Sequence, residues 1–479
     1  MRLKPTSAVA FACAACTMIV TSCATDVETN VNVDPAGNAI SFAPSVGHST
    51  RATETTISNL GDFAVVARGM HHDGVLYDNF LIGSKTGGEI AQRNGNLVTP
   101  EDPNKPISGT WKLGRSVYWP SSLEKVLFYA YTALKSGETY TDVFGTKEGD
   151  AKPALGFDGD DPYIDGFKPL KLGVSAGLDT KGTWADGKDQ RDLLVAYTPQ
   201  ERSTSATNVN IEFQHALTQI SITASQTNKA ADDHRIVKIK GAWIVNAAES
   251  GKLKATYDKD AVTIPKSWEV SGKTTYGSFY TDIVELNKTQ DLLREYSLML
   301  LPENLTAWNC KGGTENNGGT YILLLCRVEL EHAGDNHDGN ANLDDIAIEN
   351  GKHYHQLFPV NEEKFNGAEY GFVCVPLSSD WNTNGIGKHY TYNLNICGNG
   401  TGAGKYPPVL SDTDVAKLVP SGTKVAVVGN SAAQTLEVIT SRPSNKNVGD
   451  NVLDEPIQFT VTVKPWETPT DWTSGDIEL

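Results

Sequence analysis

The sequence predicts an all-β fold for an exported chain, on three observations. Apolar residues recur at period two in short runs separated by Gly, Asn, Asp and Thr. Long helical periodicity is absent, and methionine is scarce, with 4 in 479 residues. The chain also opens on a secretory leader. Its length allows two or more domains of ordinary size. The formal net charge is −17, with no basic block. That argues against nucleic acid, whose binding depends on neutralising phosphates, and against electrostatic docking on anionic lipid.

The leader begins with Arg2 and Lys4, and Ser7 to Val20 is a short apolar run. The run is too short to span a bilayer and suits a secretory core region. It closes on Val20-Thr21-Ser22-Cys23, which resembles the bacterial lipobox. The resemblance implies cleavage between Ser22 and Cys23 and acylation of Cys23. Several acyl chains anchor where one would not, since each buried methylene adds about 0.8 kcal/mol. Residues 24–38 are polar and acidic, as in a solvated tether. Ile40-Ser41-Phe42-Ala43-Pro44 then alternates like a short strand. After it, Arg51 and Ala52 lie in a small, polar context of the kind that proteases nick.

Further along, 62–67, 77–82 and 117–120 read as strands, and 126–133 (VLFYAYTA), apolar on both faces, as a central one. From Leu134 to Gln190 periodicity fails, and Gly, Asp and Lys suggest long surface loops. The run 208–224 changes phase: Val209, Ile211, Phe213, His215 and Leu217 share one face, and Ile220, Ile222 and Ala224 the other. A bulge or bend near Thr218-Gln219 is implied. His215 on that apolar face reads as a core histidine with a satisfied hydrogen bond. A polar break at Ser225 to His234 suggests a domain boundary near 228. Beyond it, strands are expected at 236–245, 253–257, 262–264, 296–301, 321–330 and 370–377. Gly351-Lys352-His353-Tyr354 and Gly387-Lys388-His389-Tyr390 repeat one turn-into-strand signal. Ser411, with Asp412 and Asp414 behind it, is the best helix start. Strands at 425–428, 435–439 and 457–463 close the chain.

Cys310, Cys326, Cys374 and Cys397 follow the leader, and four cysteines allow three pairings. An exported chain permits bridges, but strand-like surroundings favour buried thiols. Gly173-Val174-Ser175-Ala176-Gly177 fits a nucleophile elbow without the strong strand and helix that motif needs. His353 and His355, with His332 and His337 nearby, could suggest zinc, yet the repeat at Gly387 keeps only the first histidine, which reads as a turn signal. The acidic stretches 158–165 and 335–345 lack the ligand spacing of a calcium loop and read as solvated. No active site, metal or cofactor is expected.

Taken together these features resemble the fimbrillin family, pilus subunits of gut and oral Gram-negative anaerobes. The resemblance rests on Cys23, the leader through Arg51-Ala52-Thr53, and Leu60-x-x-Phe63-x-Val65-x-Ala67. It also rests on Phe213-x-His215-Ala216-Leu217-x-x-Ile220, Tyr296-x-Leu298-Met299-Leu300-Leu301-Pro302, Gly387-Lys388-x-Tyr390-x-Tyr392-x-Leu394 and Phe459-x-Val461-x-Val463-x-x-Trp466. It implies two tandem transthyretin-like β-sandwich domains with long surface loops. The expected division is 1–22 signal peptide, 23–51 tether and propeptide strand, 52–228 first sandwich, and 229–479 second sandwich. Further implications are a lipid anchor in the outer membrane, cutting between Arg51 and Ala52 by an arginine-specific surface protease, and partnership with other pilus subunits. The cut would displace the strand holding Ile40 and Phe42, and a donor strand would replace it. Ile457, Phe459, Val461 and Val463 form the candidate donor, although they also suit the last strand of the second sandwich. The alternative is an outer-membrane lipoprotein that binds glycans without polymerising, stacking sugars on Trp184, Trp268, Trp308 or Trp381.

Overall fold

A strand that is apolar on both faces needs a core on each side of its sheet, and the run VLFYAYT has both. The computed structural model describes residues 39–46, 55–83, 96–102, 104, 109–120, 123–145, 151–170, 189–201, 208–227, 229–256, 268–293, 297–311, 314–315, 318–333, 347–349, 352–360, 367–381, 386–453 and 455–466. The first elements are β1 (Ser41–Val46), β2 (Phe63–Met70), β3 (Leu76–Ile82), β4 (Leu97–Pro100), β5 (Trp111–Leu113) and β6 (Lys125–Thr132). There follow a one-turn helix α1 (Tyr140–Val143), β7 (Ala154–Asp158), β8 (Asp161–Phe167), β9 (Leu194–Glu201) and β10 (Asn208–His215).

Eight of these strands form one sheet in the order β3-β2-β4-β5-β1-β10-β9-β6, and β2 also pairs with β6. The strands from β2 round to β6 therefore close into a ring, which spares them the free edges of an open sheet, while β3 pairs with β2 outside it. Val126, Phe128 and Ala130 of β6 point into the enclosed core with Phe42, Phe63, Trp111, Ile211 and Phe213. Leu127, Tyr129 and Tyr131 point the other way, into a second core shared with the rest of the chain.

The second half comprises β11 (Thr218–Ser225), β12 (Arg235–Lys254), β13 (Trp268–Glu285), β14 (Leu298–Leu300), β15 (Tyr321–Ala333), β16 (Lys352–Phe358), β17 (Glu369–Pro376) and β18 (Lys388–Asn395). Helix α2 (Asp412–Leu418), β19 (Lys424–Val427), β20 (Asn430–Thr435), β21 (Glu437–Ile439) and β22 (Gln458–Pro465) complete it. A nine-stranded sheet built on β12 and β15 faces a five-stranded sheet holding β11, β14, β18 and β22. Ile220, Ile222, Ile239, Leu324, Tyr390 and Tyr392 fill the space between them. The outer face of the larger sheet buries Trp243, Leu323 and Phe372 under α2 and the β19–β20 hairpin. Ser411 caps α2 by accepting from the Asp414 N–H at 3.2 Å, as its sequence signal predicts.

β10 lies in the closed sheet, while β11 pairs parallel to β18 and antiparallel to β14 in the second half. The chain thus crosses over at Ala216-Leu217, just before Thr218-Gln219, near which a bulge or bend was expected. The stretch 134–190 is not all loop: it contains α1, β7 and β8, and β8 pairs with the end of β12. Its acidic turn is solvated, as expected, and also paired: half-exposed Asp160 bonds buried Arg68 at 2.6 Å, and exposed Asp158 bonds Lys254 at 2.6 Å. The strands expected at 236–245 and 253–257 are one continuous β12, which absorbs an irregularity at Asn246, φ 64°. Asparagine tolerates that left-handed conformation. β13, its partner, carried no strong apolar signal, since Ser, Thr and Gly interrupt its apolar residues.

Candidate functional site: the first strand and its groove

β1 sits in the closed sheet as one of its staves. It runs parallel to β10, from Ser41 opposite Asn208 to Val46 opposite Phe213. On its other side it pairs antiparallel with β5, but only at Ser41 and Phe42. The Ile40 N–H donates to the Val117 carbonyl at 2.7 Å, and Ser41 Oγ bonds Asn208 Oδ1 at 2.5 Å. Phe42 is fully buried, edge-on to Phe63 at 6.0 Å and to Phe128 at 5.9 Å. Ile40 and Val46 are buried beside it. The alternation of Ile40 and Phe42 thus turns two side chains into the enclosed core, and Pro44 falls where β5 no longer pairs. Proline, lacking an N–H, is tolerated where one side of a strand is open.

Ser22, Cys23, Arg51 and Ala52 lie outside the described residues, as do Ser175, Trp184, His337 and the tail after Trp466. The first described residue after Arg51 is Thr55, whose N–H donates to Asp192 Oδ2 at 3.1 Å. The same oxygen lies 2.7 Å from His215 Nδ1, and both side chains are buried. His215 is therefore a core histidine with a partner, as its face predicts.

The candidate donor residues lie in a different sheet from β1. β22 forms the last strand of the five-stranded sheet, antiparallel to β18 along Gln458–Pro465. Ile457 is buried, Phe459 partly so, while Val461 is 36% and Val463 42% exposed. Both readings of this segment meet here: it is the second sandwich's own last strand, and its Val461 and Val463 are only partly covered.

Other candidates resolve toward structure. Cys326, Cys374 and Cys397 are buried free thiols and Cys310 is a half-buried one. Burial pushes the Cys326 and Cys374 thiols far up and that of Cys397 up to about 11, so they are poor nucleophiles. His353 and His355 are buried, and no group of three or more metal-ligating side chains occurs among the described residues. Trp268, Trp308 and Trp381 are buried at 5%, 2% and 0% exposure, so none is a sugar platform. Among the described residues no helix is long and apolar enough to cross a membrane.

Comparison with known proteins supplies the family. A model of fimbrillin-like proteins matches residues 50–368, two thirds of the chain. No curated protein matches. Among solved structures, a fimbrial protein from Bacteroides vulgatus is similar at 16% identity over 74% of this chain and 94% of that one, TM-score 0.38. A candidate cell adhesion protein from Bacteroides uniformis is similar at 14% identity over 90% and 99%, TM-score 0.32. Another from Parabacteroides distasonis shares 10% over 90% and 97%, TM-score 0.31. The match over two thirds of the chain decides the matter: this chain belongs to the fimbrillin-like family, structural rather than catalytic proteins.

Proposed function

We propose that the chain is a pilus subunit exported as a lipoprotein through Cys23, cut between Arg51 and Ala52, and polymerised by strand exchange into the groove that β1 occupies. The observation that carries this reading is the place of β1: a strand ahead of the cut is a stave of a closed sheet. Removing it would bare one edge on β10 and another on β5, and open the core lined by Phe63, Phe128 and Phe213. Bare edges and an apolar groove are what strand addition requires. Refilling the places of Ile40, Phe42 and Val46 is worth about 1.5–3 kcal/mol per side chain. Ladder bonds add about 0.5–1.5 kcal/mol each. A joint of that kind hardly dissociates, so the cut would also set the moment of assembly. An arginine-specific surface protease would make it, and release from the outer-membrane anchor at Cys23 would follow.

For the donor we favour β22, whose Phe459, Val461 and Val463 already alternate along one face and are incompletely covered. The glycan-binding alternative is weakened by the burial of Trp268, Trp308 and Trp381, and of its four platforms it keeps Trp184, which lies outside the described residues. The experiment is to shear surface material from cells, read its N-terminus, and run it unheated in detergent. A start at Ala52 with a resistant ladder is expected. A lipidated start at Cys23 without a ladder would overturn the proposal.

A further inference from the structure

The last strand is fastened to its own subunit unevenly. Along β22 the backbone pairs with β18 at every position from Gln458 with Asn395 to Pro465 with Lys388. Its side chains add little hold, since all but the partly buried Phe459 are exposed. Two buried residues flank the strand, Ile457 before it and Trp466 after it. Trp466 does not join the core beneath β18. It enters the cluster where the two halves of the chain meet, with Leu217, Trp268 and Met299. Its ring stacks flat on His215, centroids 4.5 Å apart and planes 4° apart. The Trp466 backbone N–H donates to the Gly387 carbonyl at 2.8 Å, and the Gly387 N–H donates to the Leu217 carbonyl at 3.0 Å.

His215 can offer a fixed face because Asp192 takes its Nδ1–H at 2.7 Å. That same Asp192 oxygen accepts the N–H of Thr55, four positions after Arg51. One buried carboxylate oxygen therefore ties together the start of the chain beyond the cut, the crossover between the sheets, and the root of the last strand. The bonded atoms run Thr55 N, Asp192 Oδ2, His215 Nδ1, and the imidazole then lies on the indole of Trp466.

We propose that Trp466, seated on the Asp192–His215 pair, is the anchor that keeps β22 on its own subunit, and that the Thr55 bond links this anchor to the segment beside the cut. The proposal rests on the strand-exchange reading and deepens it: Trp466 is a positioning residue that sets when the donor strand becomes available. A ladder whose side chains are in water opens locally at low cost, because its backbone groups can bond water instead. A buried indole on a fixed imidazole cannot be replaced in that way. The strand stays while Trp466 stays.

The test is hydrogen–deuterium exchange on the full, uncut chain, read by mass spectrometry. Trp466→Ala should speed exchange across 458–466 by about tenfold or more, with 125–132 and 321–330 unchanged. Trp466→Phe, which keeps a ring on His215, should stay near wild type and guards against simple misfolding. Asp192→Asn should speed exchange both at 55–60 and at 458–466. Unchanged exchange at 458–466 in Trp466→Ala overturns the anchor, and unchanged exchange there in Asp192→Asn overturns the link to Thr55. Polymer formation is read separately on unheated gels after cutting. Faster exchange without any ladder in wild type would uphold the anchor and count against strand exchange, so the two failures are distinguishable.

Discussion

Phe42→Ala in the uncut chain tests the role of β1 most directly. Phe42 is fully buried inside the closed sheet, and its neighbours Phe63 and Phe128 belong to β2 and β6, strands pinned on both sides. They cannot collapse into the space, so the substitution should cost the upper range for buried phenylalanine, about 3–5 kcal/mol. The two edge-on ring pairs, about 0.5–1.5 kcal/mol each, are part of that loss. Urea unfolding of the uncut protein should show a lower midpoint with an unchanged slope. After a cut at Arg51 and departure of β1, wild type and variant become the same chain, so their polymers must be equally stable. Only the route differs. If half of the Phe42 burial is lost at the barrier to strand exit, the variant assembles with a barrier about 2 kcal/mol lower, roughly thirtyfold faster once cutting is complete. A midpoint shift worth under about 1 kcal/mol would refute the packing argument. Unchanged assembly after complete cutting would refute the identification of β1 as the displaced strand.

Three further outcomes follow from the fold. Burial raises the pKa of Glu138, but two Arg191 hydrogen bonds at 2.7 and 3.0 Å and the Lys135 N–H outweigh it and hold the carboxyl below its usual 4.5. A depressed carboxyl stabilises above its ordinary pKa and loses that contribution as pH falls through the folded value. Glu138→Gln should therefore flatten the loss of stability below about pH 4.5, and an unaltered acid limb in pH-dependent unfolding would refute this. Gly387 has φ 68°, and a Cβ there would lie 3.2 Å from the His215 carbonyl. Gly387→Ala should destabilise by about 1–2 kcal/mol in urea, and no change would mean that the crossover relaxes freely. Ser411→Ala removes the α2 cap and should cost about 1 kcal/mol, seen as a lower midpoint without loss of the fold.

Much of the first sandwich was legible because alternation reports burial on one face. Ile40 and Phe42, Phe213 and His215, and the doubly apolar β6 all sit where their pattern places them. The phase change near Thr218-Gln219 marked a bulge or bend, but not that the chain there passes from one sheet to another. What the pattern could not show is which strand neighbours which. Nothing in Ser41–Val46 reveals that it lies between β5 and β10, since partners 69 to 167 residues away are chosen by packing and not by local preference. β7 and β8 were hidden by an acidic turn whose charges are cancelled by Arg68 and Lys254, distant in sequence. β13 was hidden because Thr, Ser and Lys can fill a strand whose neighbour supplies the order. Trp466 was legible as a family feature but not as a junction residue, because its seat is made by His215 and Gly387 from two other elements.

The hold on β1 has a direction, and that direction bears on how a cut could release it. At its start the strand is gripped from both sides: Ile40 bonds Val117, and Ser41 and Phe42 face β5 on one side and β10 on the other. From Ala43 to Val46 the registered neighbour is β10 alone, and within that stretch Pro44 has no N–H to donate. The weakly held end is therefore Val46, five positions before Arg51, while the tether to Cys23 leaves from the firmly held end. An uncut chain cannot use this weakness, because Val46 continues to Thr55, which is bonded to Asp192, and on into β2. A cut at Arg51 would free that end and let the strand peel from Val46 toward Ile40, one pairing at a time, without opening the rest of the closed sheet. Phe42 would then be among the last side chains to leave the core, which is why its burial should weigh on the rate of exit. In cut protein held too dilute to assemble, amides at 43–46 should exchange faster than those at 40–42. The opposite gradient would mean that the strand leaves from its tethered end, and that the place of the cut is not explained by how β1 is held.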